Sequence, residues 1–575
     1  MKVTIAKTAG FCMGVRRAVE MAFDSANSTA TPICTYGPLI HNPQVLSLLK
    51  EKGISVIDEI PENGEGTVII RAHGIPPGDR RALYDSGFKV IDATCPRVIR
   101  VQSIISRHSQ KGYASIIVGD KAHPEVIGLL GYAGENGYVT DSLISLEELP
   151  EFEKAIIVTQ TTQNSEFFEK VRDWAKKHHP HYKIFNTICD STEKRQAEIK
   201  SLAPDIDAVI VVGGYNSGNT RRLAEIASAG GKKSLHVETA EDIDIRELAG
   251  ASHIGITAGA STPNWIIKQV YQDLEALLAQ NERPLYRYAF SLMRFLVNSN
   301  LYLAAGAGCL TLAGTWMQGL PFQLLPILAA MFYILAMHTA NQMLERQFDQ
   351  YSDPYRAVFY QKNRYALSLL AFISGTGALA ASWLMGRLFF IMFICMSLLG
   401  LLYNIDAVTR NSAQHRHFLK NIPGSKTVLT ALAWGIITAL VPPLYSEGYI
   451  SFAGMLAFAW TCAMVLVRTA YFDIMDMQGS RIMGRGTIPI LLGEKRTIRL
   501  LKAMLIAMVL VLPAGVVAGV ISGEVLLLIL CPALMYRFLQ GYEQKMIFSG
   551  MHRGFVMESF FLLAGALSGL GIFLL

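Results

Sequence analysis

AKTAGFCMGVRRAVE, residues 6–20, runs out of a short β-branched stretch, KVTIA, into a helical pattern and puts Cys12 at the junction. The same arrangement returns in VIDATCPRVIR (90–100) around Cys95 and in FNTICDSTEKRQ (185–196) around Cys189. A helix N-terminus offers unpaired N–H groups and a partial positive charge to the turn before it, so a thiol placed there is expected to deprotonate easily. Three thiolates suit an iron–sulfur cluster that keeps one iron open. Zinc suits them less, because structural zinc takes four ligands with a close CxxC-type pair, and these thiols are far apart in the chain. A lone cysteine reads by default as a small buried hydrophobe. The threefold recurrence argues against that reading here, and a disulfide framework is weaker still.

The chain has 575 residues, of which 51% are hydrophobic, and a mean hydropathy of +0.31, too apolar for an ordinary soluble protein. That average joins two unlike halves. Up to about residue 280, β-branched runs (KVTIA, TVIIRAH, ASIIVGD, AIIVTQ, AVIVVGG, HIGITAG) alternate with charged helical patterns, as in α/β units. From about Leu296 long apolar spans dominate. The expected organisation is an α/β domain at 1–280, a linker at 281–295 and an all-α polytopic membrane bundle at 296–575. The basic, aromatic stretch LLAQNERPLYRYAFSLMRFLVNS (277–299) suits a helix on the membrane surface or the first turn of a span.

Nine spans are expected, near 297–318, 321–340, 365–386, 387–405, 427–445, 450–470, 498–520, 524–540 and 555–575. Lys and Arg crowd alternate loops (Arg346 to Arg364, Arg410 to Lys426, Arg481 to Arg496), which the positive-inside rule places in the cytoplasm. The start, MKVTIAKTAGFCMG, lacks the apolar region that export requires. The first domain is therefore expected in the cytoplasm, attached to a multi-pass protein of the cell membrane, with its thiols reduced. The formal charge of +6 belongs largely to the membrane loops, and with no nucleic-acid motif present, nucleic acid is not an expected partner. Cys34, Cys309, Cys395, Cys462 and Cys531 read as packing residues.

Several further turns follow expected strands in the first half: GPLIHNPQ, RAHGIPP, DKAHPEV, VTQTTQNS, GGYNSGNTRR and TAGASTPN. The carboxyl ends of strands in open α/β sheets are where ligands bind, and helix N-termini there favour anions. His41, His73, His123, Ser217, Asn219 and Ser261 offer donors for phosphate oxygens, Thr161 suits a hydroxyl, and Glu125 is a candidate proton source. These segments, in this order and with these cysteines, resemble the 4-hydroxy-3-methylbut-2-enyl diphosphate reductase family, also called LytB or IspH, over residues 1 to 280.

The resemblance implies a pseudo-threefold repeat of α/β units around a 4Fe-4S cluster held by Cys12, Cys95 and Cys189, with the open iron for the substrate hydroxyl. It also implies that His41, His73, His123, Ser217, Gly218, Asn219 and Ser261 surround a diphosphate. Glu125, Thr161 and His123 would be the catalytic set. The implied reaction is reductive loss of water to isopentenyl and dimethylallyl diphosphates, the last step of the methylerythritol phosphate route. Gly218 stands where a second serine often follows Ser217, one phosphate contact fewer. No flavin or nicotinamide fingerprint is visible, so electrons are expected from a ferredoxin or flavodoxin.

In the second half, NQMLERQFDQ (341–350) sets Asn341, Glu345 and Asp349 on one helical face, and YFDIMDMQGSRIMGRGTIPILLG (471–493) sets Asp473 beside Asp476. Acids at membrane depth are costly and usually functional. Two such clusters suit Mg²⁺ holding a diphosphate, with Arg481 and Arg485 neutralising its charge. With the loop YNIDAVTRNSAQHRHFLKNIPGSKTV (403–428), they resemble the UbiA family of intramembrane prenyltransferases over residues 290 to 575. That resemblance implies a helical bundle, Mg²⁺, a prenyl diphosphate donor and a lipophilic acceptor, with Tyr403 as one wall for an allylic cation. The family motifs NDxxDxxxD and DxxDxxxD are altered at Gln342, Glu345 and Ser480, which removes or lengthens ligands. Two other readings remain: the same reductase with a silent membrane anchor, and a membrane-bound iron–sulfur sensor of diphosphates. A transporter fits less well, because the charged motifs gather at one membrane face.

Overall fold

The computed structural model describes residues 2–29, 31–248, 250–280, 284–345, 351, 353–408, 422–543 and 550–574. The chain divides into two compact units, Met1–Glu275 and Ala276–Leu575.

Three four-stranded parallel sheets build the first unit. In the first, Ile54–Ile57, Ile33–Tyr36, Thr67–Ile70 and Lys89–Asp92 lie side by side in that order. In the second the order is Gly137–Thr140, Ala114–Val118, Ala155–Thr159 and Lys183–Ile184. In the third it is Lys233–Val237, Ala208–Val212, His253–Ala258 and Lys2–Ile5. Each sheet therefore has the spatial order second, first, third, fourth, and the chain's opening strand supplies the fourth strand of the last sheet. Central strands such as Val68–Ile70 and Ile156–Val158 are fully buried. Helices cover both faces, as uninterrupted β-branched runs require. The expected pseudo-threefold α/β architecture is the one observed.

This repeat explains the cysteines. Cys95, Cys189 and Cys12 each follow the fourth strand of a sheet, and each is the N-cap of the next helix: Pro96–Ser109, Asp190–Leu202 and Met13–Ser28. The other candidate residues sort by strand as well. His41, His123 and Ser217 lie beyond the first strands, and His73, Thr161 and Ser261 beyond the third.

The second unit is a helical bundle. Helices occupy all nine expected stretches, but among the described residues seven are long and apolar enough to cross a membrane, or eight if a bent pair counts as one span. That pair, Arg287–Asn298 and Leu301–Met317, meets at 70°, which takes the first of the two out of line with its successor. The other stretch below the mark is Arg387–Tyr403, a shorter apolar helix. The count of nine is thus corrected to seven or eight. Residues 284–298, within and just beyond the expected linker, are helical. Trp434, Tyr471, Phe393 and Phe561 are fully buried in the bundle core. Gly565 lets two helices meet closely, since a Cβ there would stand 2.5 Å from Cys309 Cβ. Cys34 and Cys531 are buried packing residues as expected, whereas Cys395 is exposed on its helix.

Candidate functional site

Strand ends of all three sheets converge on one cavity of about 100 Å³. Cys12, Cys95, Cys189, His41, His73, His123, Glu125, Thr161, Ser217, Gly218, Asn219 and Ser261 all line it. Every candidate residue of the first half is thus brought together.

The cysteines form one end. Cys12 Sγ accepts a hydrogen bond from the Val15 amide at 3.4 Å. Gly14 lies directly against Cys95, since a Cβ there would stand 2.4 Å from its sulfur. Burial pushes the Cys95 and Cys189 thiols up, outweighing the backbone N–H donors of Arg97 and Val98 at the first and of Ser191 and Thr192 at the second. This corrects the expectation of easily ionised thiols: the helix ends offset desolvation without overcoming it. A cationic metal would supply the missing charge. Three soft, half-buried sulfurs converging from three helix ends fit an iron–sulfur cluster with one site open.

The histidines form the other end. The His41 and His73 rings are 4.6 Å apart, and His123 lies 5.6 and 5.5 Å from them. Their ligating nitrogens all fall within 4.8 Å of one another. Burial, with the mutual repulsion of the trio, lowers all three, His123 to about 4, so the imidazoles are neutral near pH 7. His41 Nε2, His73 Nδ1 and Asn219 Nδ2 are buried without a hydrogen-bond partner. Each such orphan costs about 1–3 kcal/mol, a sign that an absent ligand completes the set. Ser217 caps the helix Gly218–Ala229, accepting from the Thr220 amide at 3.4 Å. Ser261 Oγ donates to the His41 carbonyl at 3.1 Å. Neutral imidazoles, hydroxyls, an amide and a helix N-terminus make an anion site rather than a cation site. Nothing stands within 4 Å of a Cβ placed on Gly218, so a serine hydroxyl could enter there without displacing a neighbour.

Between these ends sits Glu125, only 2% exposed. Its carboxylate accepts from the Thr161 amide at 2.7 Å and from the Thr161 hydroxyl at 2.9 Å. Burial pushes its pKa up to about 7 despite those donors, which poises it to deliver a proton near neutrality.

Four residues escaped the sequence reading. Arg97 lines the cavity and is ion-paired with Asp190. Thr192 lines it too. Arg195, buried at 3% exposure, donates to the Ala258 and Gly10 carbonyls and lies within electrostatic reach of Cys12 and Cys189. Gly14 was legible in principle, as the small residue two places after Cys12.

In the second unit, Glu345 is ion-paired with Lys426 at 2.6 Å and Arg485 at 3.1 Å. Asp473 accepts from the Thr427 hydroxyl at 2.6 Å. The two acidic segments are thereby brought to the same pair of neighbours, Lys426 and Thr427. Asn341 Oδ1 is buried without a hydrogen-bond partner. Gln342 faces elsewhere: its carbonyl accepts from Asn300 at 2.9 Å and from the Tyr360 hydroxyl, and Arg356 holds Asn300 in turn. Asp476 is the N-cap of Met477–Ile482, which carries Ser480 and Arg481. Tyr403 shares a hydrogen bond with Ser425 at 2.8 Å. Asp349 lies outside the described residues. Oxygen donors from both segments suit a hard cation, though both oxygens of Glu345 are committed to cations.

Comparison with known proteins follows the same division. The family model described as LytB protein matches residues 3–275, and that of the UbiA prenyltransferase family matches residues 301–552. The 4-hydroxy-3-methylbut-2-enyl diphosphate reductase of Aquifex aeolicus is 44% identical over 287 residues, covering 48% of this chain and 96% of the relative. A solved structure of (E)-4-hydroxy-3-methyl-but-2-enyl diphosphate reductase is 44% identical over 48% of this chain and 99% of its own, with a TM-score of 0.39. The apo structure of a UbiA homolog from Aeropyrum pernix K1 is 17% identical, covers 47% of this chain and 97% of its own, and has a TM-score of 0.35. The LytB family is a 4Fe-4S family, and the UbiA family uses Mg²⁺ to bind diphosphate. The chain belongs to the LytB (IspH) reductase family through residues 3–275 and carries a UbiA prenyltransferase family domain at 301–552, so that it is a fusion of the two.

Proposed function

We propose that the first unit reduces 4-hydroxy-3-methylbut-2-enyl diphosphate to isopentenyl and dimethylallyl diphosphates. Two electrons and two protons enter, the allylic C–O bond breaks and water leaves. Support comes above all from the placement of Glu125 and Thr161 between a trio of sulfurs and a buried anion site in one cavity. A 4Fe-4S cluster held by Cys12, Cys95 and Cys189 would supply the electrons and a Lewis-acidic iron at its open position. The protein's own groups do the rest. His41, His73, His123, Ser217, Asn219 and Ser261 bind the diphosphate and thereby fix the reach of the five-carbon chain. Thr161 orients the substrate hydroxyl, and Glu125 gives the proton that turns hydroxide into water. The reading is tested by supplying substrate and a strong reductant to anaerobically reconstituted protein. Both products should form, and none should form in Cys95→Ala. Binding without turnover would instead support the sensor.

For the second unit we propose Mg²⁺-dependent transfer of a prenyl group to a lipophilic acceptor. Asn341, Asp473, Asp476 and Glu345 would hold the metal, while Lys426, Arg481 and Arg485 neutralise the diphosphate. The convergence of Glu345 and Asp473 on Lys426 and Thr427 supports this. The silent-anchor reading draws on a specific observation too, the commitment of both Glu345 oxygens to cations and of Gln342 to Asn300. Labelled product formed from prenyl diphosphates and a lipid extract, and lost in Asp473→Ala, separates the two. The seven or eight spans make the chain a multi-pass membrane protein, and the basic loops support a cytoplasmic reductase unit.

A further inference from the structure

We propose that the exposed first turns of the three cysteine-capped helices form the docking surface for a small acidic one-electron carrier protein. This rests on the reductase reading, which needs electrons that no cofactor fingerprint in the chain supplies.

The three helix starts are held against one another. Gly14 of the first abuts Cys95 at the head of the second, and Arg97 of the second is ion-paired with Asp190 of the third. Their outward residues therefore belong to one patch beside the sulfur ligands. At its centre are apolar side chains that folding leaves in water, Met13 at 64% and Ile99 at 40% exposure. Around them stand exposed cations one turn past each cysteine: Arg16, Arg100 and Lys194. The acids of these first turns are engaged elsewhere, Asp190 with Arg97 and Glu193 with Asn186 at 3.1 Å.

Local helix energetics argue against this charge pattern arising for stability. The helices Met13–Ser28 and Pro96–Ser109 have no acid in the first turn, and the second has Arg97 there instead. A cation at a helix N-terminus opposes the macrodipole, at about 0.3–1 kcal/mol each. Neutralising a bound cluster does not explain them either, because buried Arg195 already holds that place behind Cys12 and Cys189. An apolar centre with a cationic rim is what steers and seats an acidic partner. Docking here sets the carrier directly over the cysteine loops, so that the electron crosses the shortest stretch of protein.

The test uses the full-length, cluster-loaded protein and the variant Arg16→Glu/Arg100→Glu/Lys194→Glu. None of these residues lines the cavity. The first readout is binding by calorimetry of a gallium-substituted acidic 2Fe-2S ferredoxin, which can dock but not donate, with an acidic flavodoxin as second probe. The wild type should bind at least one probe, more weakly as salt rises, and the triple reversal should weaken binding at least about tenfold. The single variant Arg100→Ala should weaken it about threefold, which keeps the test open if the triple variant fails to fold. The second readout is turnover: ferredoxin-driven reduction should fall in proportion, while reduction driven by dithionite and methyl viologen should stay at the wild-type rate. Failure of the wild type to bind either probe, unchanged binding by the variants, or an equal loss of viologen-driven turnover overturns the proposal. A wild type that docks ferredoxin yet never consumes substrate under viologen would instead overturn the reductase reading.

Discussion

The Glu125 carboxylate receives both donors of Thr161, the amide at 2.7 Å and the hydroxyl at 2.9 Å, across 36 residues of chain. Each residue follows a strand of the same sheet, so the pair is a product of the repeat rather than of local sequence. Because burial holds the Glu125 pKa near 7, the proton-donating form predominates below that value and is lost as pH rises through it. Turnover should decline with the same midpoint. Glu125→Gln should lower kcat by about 10²–10³ with KM little changed, and should abolish that limb of the pH profile. Steady-state rates from pH 5.5 to 8.5 check both.

The histidine trio predicts a second pH effect. The empty site holds neutral imidazoles because burial disfavours their charged forms. A bound diphosphate favours the charged forms, so binding should take up protons and affinity should fall as pH rises. Calorimetry of isopentenyl diphosphate binding in buffers of different ionisation enthalpy measures this uptake. Proton release on binding would contradict the assignment.

Gly218→Ser should tighten the same site. The position is open, and it begins the helix whose N-terminus faces the cavity. A hydroxyl donating to a charged phosphate contributes about 1.5 kcal/mol, close to tenfold in KM, with kcat unchanged.

Gly14→Ala should act at the other end. Its methyl group would stand 2.4 Å from Cys95 Sγ, so the sulfur must move. Iron and sulfide content after reconstitution should drop sharply while far-UV circular dichroism is retained. Full cluster content would show that the Cys95 side chain has freedom the packing does not suggest.

Much of this was legible in the chain because the repeat writes itself three times. Each cysteine sits between a β-branched strand and an N-capped helix, and strand ends carry the histidines and hydroxyls. What stayed hidden depends on distance in space. Arg195 sits in DSTEKRQ, a run that reads as solvated, yet packing buries it against the Gly10 and Ala258 carbonyls. The raised thiols of Cys95 and Cys189 likewise follow from burial that no local pattern encodes. In the membrane half, hydropathy found each helix but could not show the 70° bend after Asn298. Nor could the motif alone show that Gln342 had left the acidic face for Asn300 and Tyr360.

The most direct test is turnover of 4-hydroxy-3-methylbut-2-enyl diphosphate by the full-length protein, reconstituted anaerobically and reduced with dithionite and methyl viologen, with products identified by mass spectrometry. The account predicts isopentenyl and dimethylallyl diphosphates from the wild type and none from Cys95→Ala. Unchanged turnover by Cys95→Ala would contradict it.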